Sequence, residues 1–497
     1  MTLIVSISHK HPNGRSGEKN TTRRDALPPV GPVVIHSDRM SASRSQITST
    51  EPGVISRLPL HVDFAGASRT AWPVTQGLPF AEGALPADMP VRVVDPTGRA
   101  LPTQASPLAT WRADRKHIKW LLVDFQVDAA SPPNGPYSLE YGRGVEPVAP
   151  DTPVTVENAR DTVRLATGPL ELTLERRPEL FAALRVDDID RFTNMRPTLV
   201  MRDDDGCEYS SAWSPLQPMI EVEEAGPLRA SVKVSGYHAD RRGRLFCPYE
   251  LRVHVFAGRR DIRVHHTYIF DQDPQQVTLR AIELRWPLPH GAQRGTVGGD
   301  DGASHEAELG EMRWLQDAHD HFVIHDRDRV CAQGKRTPGW IAAHGGTRSE
   351  TPRPRPATST PDSSNTSGSG LLAVVRDAWQ QYPKGFGLNA DELVIGLWPE
   401  GARPLSYDNP YKQPPLRFPG RAALDEDTFV RCLAEQPDAP LNLKSIGCAT
   451  VEDVEHVIDM VRRHAPQRAH AFSDTDIANA WGTAKTHECW LHFASKP

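Results

Sequence analysis

The chain has 497 residues, with 57 Lys and Arg against 63 Asp and Glu, so its formal net charge is −6. The length predicts two to four domains. The near balance of charge argues against nucleic acid or an anionic membrane as a partner, and no apolar run approaches the ~18 residues of a membrane helix. The 45 prolines disfavour an all-helical fold, because proline interrupts helices.

The first part of the chain, residues 1–54, is rich in Ser, Arg, Asn, Pro and Thr and has no hydrophobic periodicity. That composition is typical of a disordered segment. The stretch Thr22-Arg23-Arg24-Asp25 is similar to a twin-arginine signal, but prolines and a glycine follow it instead of an apolar stretch. We therefore expect a cytoplasmic protein, with export as the alternative. The six cysteines form no CxxC pair and are expected to be reduced thiols.

Residues 55–148 contain short strand-like segments broken by proline and glycine. The turn signal Asp95-Pro96-Thr97-Gly98 follows one of them, and the apolar run at 119–125 (KWLLVDF) forms another. Close spacing of such segments predicts a small β-barrel domain.

Residues 149–497 continue the strand pattern and predict a large antiparallel β-sandwich. Gly168-Pro169 separates two alternating segments and marks a hairpin. Residues 347–370 (TRSETPRPRPATSTPDSSNTSGSG) are of low complexity and predict a disordered loop insertion. The alternating apolar segments lie at 163–165, 170–174, 228–234, 251–255, 262–270, 371–375 and 393–397.

A few short helices complete the predicted fold. Thr450 can cap a helix whose apolar stripe runs from Val451 to Val461 before Pro466 ends it. Shorter helices are expected at 425–435 and 474–481. The fold class is therefore mainly β.

Two polar stretches could bind a metal. Asp317, His319 and His321 would share one face of a strand, although a solvated loop or strand edge is the favoured explanation. The acidic stretch at 203–206 (DDDG) could hold Ca²⁺ through oxygens, whereas a plain β-turn needs no ion. No Walker A, GxGxxG, HExxH or GxSxG motif is present. We predict no metal and no cofactor, with Ca²⁺ as the alternative.

Two strands place polar rings among apolar residues. His266 and Tyr268 share a strand face with Ile262 and Val264, and His487 shares one with neighbouring apolar residues. One interpretation is a packed histidine in the core. The other is a concave sheet face lined by polar rings.

Tyr382 and Lys384 lie between two apolar strands. Together they could supply the base and the carboxylate-binding group of a sugar site, or they could form a surface turn. Trp379 and Trp398 are candidate sugar-stacking platforms, although a core position is the alternative for each.

In their order along the chain, several motifs resemble the exo-rhamnogalacturonan lyases, the PcRGLX/YetA-like proteins of polysaccharide lyase family 26. The resemblance covers about residues 55–497. The segments that carry it are 78–83 (LPFAEG), 102–104 (PTQ), 111–125 (WRADRKHIKWLLVDF), 226–230 (GPLRA), 266–271 (HTYIFD), 377–384 (DAWQQYPK), 397–400 (LWPE) and 482–488 (GTAKTHE).

The resemblance implies an N-terminal RIFT barrel over residues 55–148 and a central β-sandwich over residues 149–497. It also implies a C-terminal α/α-toroid domain. We expect this chain to be either a truncated or a natural two-domain relative without that domain, which another chain could supply. The implied partner is an acidic oligosaccharide or polysaccharide, cleaved by β-elimination at a rhamnose–uronate linkage. A truncated, non-catalytic carbohydrate-binding relative is the alternative, and a glycoside hydrolase with two carboxylates is a third possibility.

A uronate lyase must neutralise the C6 carboxylate, remove the C5 proton and protonate the departing O4. We hypothesise that His266 or Tyr382 acts as base and acid, with His487 in support and Lys384 on the carboxylate. The remaining residues expected to bind substrate are Tyr268, Trp379, Trp398 and Lys485.

Overall fold

The structure of the protein is a computed structural model that describes most of the chain. The described residues are 35–36, 55–62, 69–129, 135–192, 195–273, 276–288, 292–299, 303–308, 312–345, 370–389, 391–407 and 482–494. The helices predicted at 425–435, 450–466 and 474–481 lie outside them, as do residues 347–369 of the predicted loop insertion.

Eight strands precede residue 150. They are β1 (Ile35–His36), β2 (Ser56–Val62), β3 (Arg69–Pro79), β4 (Val91–Val94), β5 (Ala100–Leu101), β6 (Thr103–Thr110), β7 (Ile118–Ala129) and β8 (Tyr137–Tyr141). β1 lies inside the segment predicted to be disordered, and it pairs with β2.

These strands form a small domain of two sheets around one core. One sheet has the order β1-β2-β8-β4-β5, and the other has the order β3-β7-β6. Leu60 and Leu139 from the first sheet pack in the same core as Val74, Val123 and Phe125 from the second. The alternation of apolar residues along β7 produces this packing, because every second side chain points inward. The RIFT topology and the domain limits stay predictions.

Twenty-three further strands follow. The first five are β9 (Thr155–Asn158), β10 (Thr162–Ala166), β11 (Leu170–Glu175), β12 (Phe181–Val186) and β13 (Ile189–Asp190). The next nine are β14 (Thr198–Asp203), β15 (Glu208–Ser210), β16 (Met219–Ala225), β17 (Arg229–Ala239), β18 (Leu245–Phe256), β19 (Asp261–Phe270), β20 (Thr278–Pro287), β21 (Ala292–Gly298) and β22 (Ser304–Glu308). The last nine are β23 (Met312–Ala318), β24 (His321–Asp326), β25 (Arg329–Gly334), β26 (Trp340–Gly345), β27 (Leu371–Val375), β28 (Lys384–Leu388), β29 (Glu392–Trp398), β30 (Leu405–Ser406) and β31 (Thr483–Phe493).

The second part of the chain forms two sheets with a shared core. Strands β9 to β13 make one antiparallel sheet, and β14 to β31 make an 18-stranded sheet. Leu172 and Leu184 of the smaller sheet belong to the same hydrophobic cluster as Val253, Trp286 and Ile395 of the larger one. The prediction of a mainly β fold with a large antiparallel sandwich is therefore confirmed.

The one helix in the described ranges is a short 3₁₀ turn at Ser211–Trp213, which Ser210 caps through its side chain. No helix in the part of the chain that the structure describes is long and apolar enough to cross a bilayer.

Side chains of β6 and β7 attach the small domain to the sandwich. Gln104 accepts hydrogen bonds from the backbone N–H groups of Leu228 and Arg229, at 3.0 and 2.9 Å. Asp124 forms a buried, two-pronged ion pair with Arg229, with N–O distances of 2.7 and 3.2 Å. A Cβ at Gly226 would lie 2.2 Å from the Gln104 side chain, so only glycine fits this close approach.

Candidate functional site

Strands β19 and β31 bring two histidines together inside the sandwich. The two strands pair antiparallel, with His266 opposite His487 and Tyr268 opposite Lys485. Because side chains alternate along a strand, the faces that carry these residues also carry the apolar residues of the core. His266 is 1% exposed and His487 is 2% exposed. The core position, one of the two interpretations from the sequence, is the one the structure shows for both histidines.

Two further residues join this group. Lys384, at the start of β28, is completely buried; its charge lowers the pKa of His487, and the charge of Lys485 lowers the pKa of Lys384. His238 of β17 is also buried, with its ring 6.3 Å from that of His266. We call His238, His266, Lys384, Lys485 and His487 the interior base cluster.

The polar contacts of the cluster are few. His238 Nδ1 lies 2.6 Å from the carbonyl oxygen of Cys247. Beside the cluster, the hydroxyls of Tyr268 and Tyr407 are 2.6 Å apart. Neither ring nitrogen of His266 has a hydrogen-bond partner among the described residues. No described carboxylate forms an ion pair with Lys384 or Lys485. The cluster is therefore rich in bases and poor in counter-ions.

Burial lowers the pKa of each of these bases. Desolvation lowers the pKa of His266 to about 3 and that of His238 to about 4. The pKa of His487 is well below its usual value because of burial and the neighbouring Lys384 and Lys485. Burial, with the charge of Lys485 beside it, lowers the pKa of Lys384 to about 7. All three histidines are consequently neutral at pH 7.

Lys384 holds the loop that precedes it. Its ammonium group donates hydrogen bonds to the carbonyl oxygens of Gln381 and Pro383, the residues on either side of Tyr382. From the sequence, we had expected this ammonium group to bind the carboxylate of the substrate. In this structure Lys384 lies inside the protein and contacts backbone, so it cannot also contact a sugar.

The loop between β27 and β28, residues 376–383, carries one exposed and one half-buried aromatic side chain. Tyr382 is 45% exposed, and its ring is 6.3 Å from that of His319. Trp379 is half-buried, with the guanidinium carbon of Arg336 4.2 Å from its ring centre. We call Tyr382, Trp379, Arg336 and His319 the surface group. Of the four residues predicted to act in catalysis, Tyr382 alone is open to a ligand in solution.

The structure does not place Trp398 with either group. It lies at the end of β29, where its indole N–H donates a hydrogen bond to the carbonyl of Arg403 at 2.9 Å. Its ring is half-buried against the main core, the alternative that the sequence left open.

The two metal alternatives do not assemble into metal sites. Asp203 accepts hydrogen bonds from Cys207 N–H and the Tyr209 hydroxyl, each at 2.8 Å, so its carboxylate holds the turn together. His321 Nδ1 lies 2.6 Å from Asp317 Oδ1, while His319 sits in the adjoining turn. Among the described residues, no group of three or more His, Cys, Asp or Glu is arranged to hold a metal ion.

Sequence reasoning missed a polar cluster on the opposite face of β19 and β31. Glu488 accepts a hydrogen bond from Arg376 at 2.8 Å and one from the Trp490 indole at 2.9 Å, and His265 lies 3.4 Å away. Burial alone would raise the pKa of Glu488, but His265 and Arg263 hold it well below its usual value. The one feature of the sequence that could have predicted this cluster is the alternation of charged and apolar residues along both strands.

Arg263 links this cluster to the domain junction. Its guanidinium carbon lies 5.3 Å from the ring of Phe256 and 5.4 Å from that of Trp490, and Trp490 stacks on Trp72 of the small domain at 5.4 Å. The stack of Trp490 on Trp72 is thus a contact between the two domains, and the cation–π contacts of Arg263 adjoin it.

By its fold, the protein belongs to the class of large antiparallel β-sandwiches. A smaller β domain packs on the sandwich, and a group of basic side chains is buried inside it. Residues 154–294 match the family model of the PcRGLX-like protein central beta sandwich domain. These residues are therefore similar to that domain, and the resemblance found in the sequence is confirmed for residues 154–294.

Two solved structures are similar in overall shape at low identity. One is a protein in the glycosyl hydrolase family 38 from Enterococcus faecalis, with 11% identity, a TM-score of 0.42 and coverage of 87% of this chain and 44% of that one. The other is an alpha-mannosidase from Enterococcus faecalis V583, with 9% identity, a TM-score of 0.41 and coverage of 87% and 42%. This chain thus spans less than half the length of each. No curated protein matches it.

Proposed function

We propose that this protein acts on an acidic oligosaccharide of the rhamnogalacturonan type and cleaves it by β-elimination at a uronate. The PcRGLX-like domain supports this class of substrate. The observation that carries the proposal is the β27–β28 loop: it presents Tyr382 to solvent and carries the half-buried Trp379, which packs against Arg336. Behind the loop lies a cluster of bases without a carboxylate counter-ion among the described residues.

The surface group contains the residue types that the reaction needs. The Arg336 guanidinium can bind the C6 carboxylate through two hydrogen bonds and so favour the enolate that forms when the C5 proton leaves. Tyr382, as its phenolate, takes the C5 proton, the C4–C5 double bond forms, and the C4–O4 bond breaks. A proton from Tyr382 or His319 then completes the leaving hydroxyl. Trp379 offers an aromatic face to the sugar.

Tyr382→Phe is expected to lower the turnover of a rhamnogalacturonan oligosaccharide by at least about a hundredfold, because the phenol oxygen is the proton-transfer group. The measurement is the ultraviolet absorbance of the unsaturated uronate product. Tyr237→Phe, at a half-buried tyrosine on β17, is the control and should keep wild-type turnover. Unchanged turnover in Tyr382→Phe would remove Tyr382 from the mechanism.

In this mechanism Lys384 positions Tyr382 through the two flanking carbonyls. Lys384→Met should therefore lower kcat by about tenfold or more while KM changes little, since the lysine does not contact the sugar. Equal losses in kcat/KM and in binding of the oligosaccharide would instead indicate direct contact with substrate.

The same substitution should change how stability depends on pH. The folded-state pKa of Lys384 is about 7, below the 10.5 of a free lysine, so the unfolded chain binds more protons between these values. Stability from this group therefore rises with pH across that window, by about 2–3 kcal/mol from pH 6.5 to pH 9. Urea unfolding at the two pH values should show that rise in the wild type and a smaller one in Lys384→Met. The same rise in both proteins would contradict the expectation.

A second candidate is a non-catalytic carbohydrate-binding protein. The burial of His266, His487 and Lys384 favours it, because three of the four proposed catalytic side chains are closed to a sugar. A flat ultraviolet signal together with measurable binding of the oligosaccharide would support this candidate over the lyase. New reducing ends without ultraviolet absorbance would support a hydrolase.

A further inference from the structure

An open pocket of about 460 Å³ lies on the small N-terminal domain, and none of its lining residues belongs to the two groups described above. Pro86, Ala87, Asp88, Arg115, Lys116 and His117 line it. Its volume is within the usual range for small-molecule sites. We propose that this pocket is a second binding site for acidic saccharides, with the carboxylate of a uronate on Arg115 and Lys116. The identity of the ligand rests on the proposed function; the pocket does not.

The cations of the pocket are available to a ligand. Arg115 and Lys116 are exposed, and among the described residues neither side chain forms an ion pair or hydrogen bond. Arg112 in the same hairpin is different, because it pairs with Glu82 at 2.7 Å. Two unpaired cations on one wall favour an anion. Asp88 on the other wall can accept hydrogen bonds from sugar hydroxyls.

The backbone at Arg115 supports a functional reason for this residue. Its φ is +56°, in the left-handed region that glycine or asparagine adopts more easily. The turn is closed by a hydrogen bond from Arg115 N–H to the carbonyl of Arg112 at 3.1 Å. Stability alone would favour glycine at this position. A charged side chain at a strained position next to a pocket points to binding.

A tryptophan of the same segment is tied to the pocket wall through the backbone of His117. Trp111 is 38% exposed, and its indole N–H is held by the carbonyl of Phe80 at 3.0 Å. Its backbone N–H donates to the carbonyl of His117, a residue of the pocket wall, at 3.0 Å. Lys119 Nζ lies 4.9 Å from the centre of the Trp111 ring, so the segment that carries Arg115 and Lys116 presents a third cation with an aromatic ring.

The test is a calorimetric titration of the full chain with a galacturonate trisaccharide at low salt. Arg115→Gly combined with Lys116→Ala should weaken binding at this site by about tenfold or more, the usual effect of losing a charge-assisted contact. Arg115→Gly alone should weaken binding while its thermal midpoint stays at or above that of the wild type, which excludes misfolding as the cause. Arg143→Ala, at an exposed arginine of the same domain, should bind like the wild type.

The titration is repeated in a Trp379→Ala background, so that binding at the surface group does not mask the pocket. Wild-type affinity in the double pocket variant would overturn the proposal. So would equal affinity for a trisaccharide whose carboxylates have been reduced to alcohols. If the wild type shows no cleavage but the pocket variant still loses affinity, the proposed function fails and the pocket stands. If the wild type cleaves and the pocket variant binds normally, the pocket proposal alone fails.

Discussion

Asp124→Asn is expected to destabilise the protein by about 3–5 kcal/mol, because it leaves the Arg229 guanidinium buried without its counter-charge. Both side chains of this pair are 5% exposed, and two N–O contacts join them across the domain junction. The other side chain at the guanidinium is His254, whose Nδ1 lies 3.3 Å from Arg229 Nη1. A histidine ring carries no negative charge, so it cannot replace the carboxylate of Asp124. The measurement is the free energy of unfolding in urea, followed by fluorescence.

Two further variants separate the charge effect from packing. Asp124→Leu combined with Arg229→Met removes both charges and should recover most of the stability lost in Asp124→Asn, because neither partner is left unpaired. Glu82→Gln breaks the exposed contact with Arg112 and should leave the unfolding curve unchanged. If Asp124→Asn were no more destabilising than Glu82→Gln, the ion pair would not hold the domains together.

Acidification from pH 7.5 to pH 5 is expected to destabilise the protein through the interior histidines. The folded-state pKa values of His238 and His266 are about 4 and 3, below the 6.5 of a free histidine, so the unfolded chain binds more protons as the pH falls through 6.5. Each residue then lowers the stability by about 2 kcal/mol at pH 5. His487 acts in the same direction. Urea unfolding at the two pH values measures the sum.

Acidic residues do not produce this loss in the same window. The pKa of Glu488 and that of Asp261 are both lowered in the folded protein, so their contribution to stability is lost as the pH falls below about 4.5, the usual range of a carboxyl group. The decline between pH 6.5 and pH 5 therefore belongs to bases that burial keeps neutral.

His266→Leu isolates one of these bases. Neither ring nitrogen of His266 has a partner among the described residues, so leucine removes a desolvated polar ring without breaking a hydrogen bond. The variant should be more stable than the wild type at pH 5 by about 2 kcal/mol, with a smaller pH dependence. His319→Leu, at an exposed histidine, is the control and should keep the wild-type pH dependence. An undiminished loss of stability in His266→Leu would mean that His266 does not cause it.

The strands of the fold could be predicted because their signal is local. The alternation around Gly168 predicts a hairpin, and β10 and β11 pair as expected with Leu165 opposite Leu172. The even-numbered residues of β19 likewise share the core face, as their sequence indicates. An alternation with a period of two residues requires only that one face of a strand be buried. The residues of a single short segment are enough to show it.

The candidate site needed long-range information. His266 and His487 are each on the predicted face, but their pairing joins strands far apart in the chain. No local pattern distinguishes Lys384, which is completely buried, from Tyr382, which is 45% exposed. Exposure is decided by what packs over a residue, and that depends on the whole sheet. The sequence grouped the two residues as one site, whereas the structure puts one beneath the loop and the other on it.

The amino-acid sequence by itself determined the β class, the inward faces of the strands and the resemblance to the PcRGLX-like sandwich, because these depend on side-chain alternation and on short motifs. Only the tertiary structure decided that a cluster of neutral bases lies in the core, that Asp124 binds Arg229 between the domains, and that Arg115 and Lys116 flank an open pocket. Burial, charge pairing and pocket shape all depend on contacts between residues that are distant in the chain. The desolvation that follows from burial then shifts the pKa values of the buried bases.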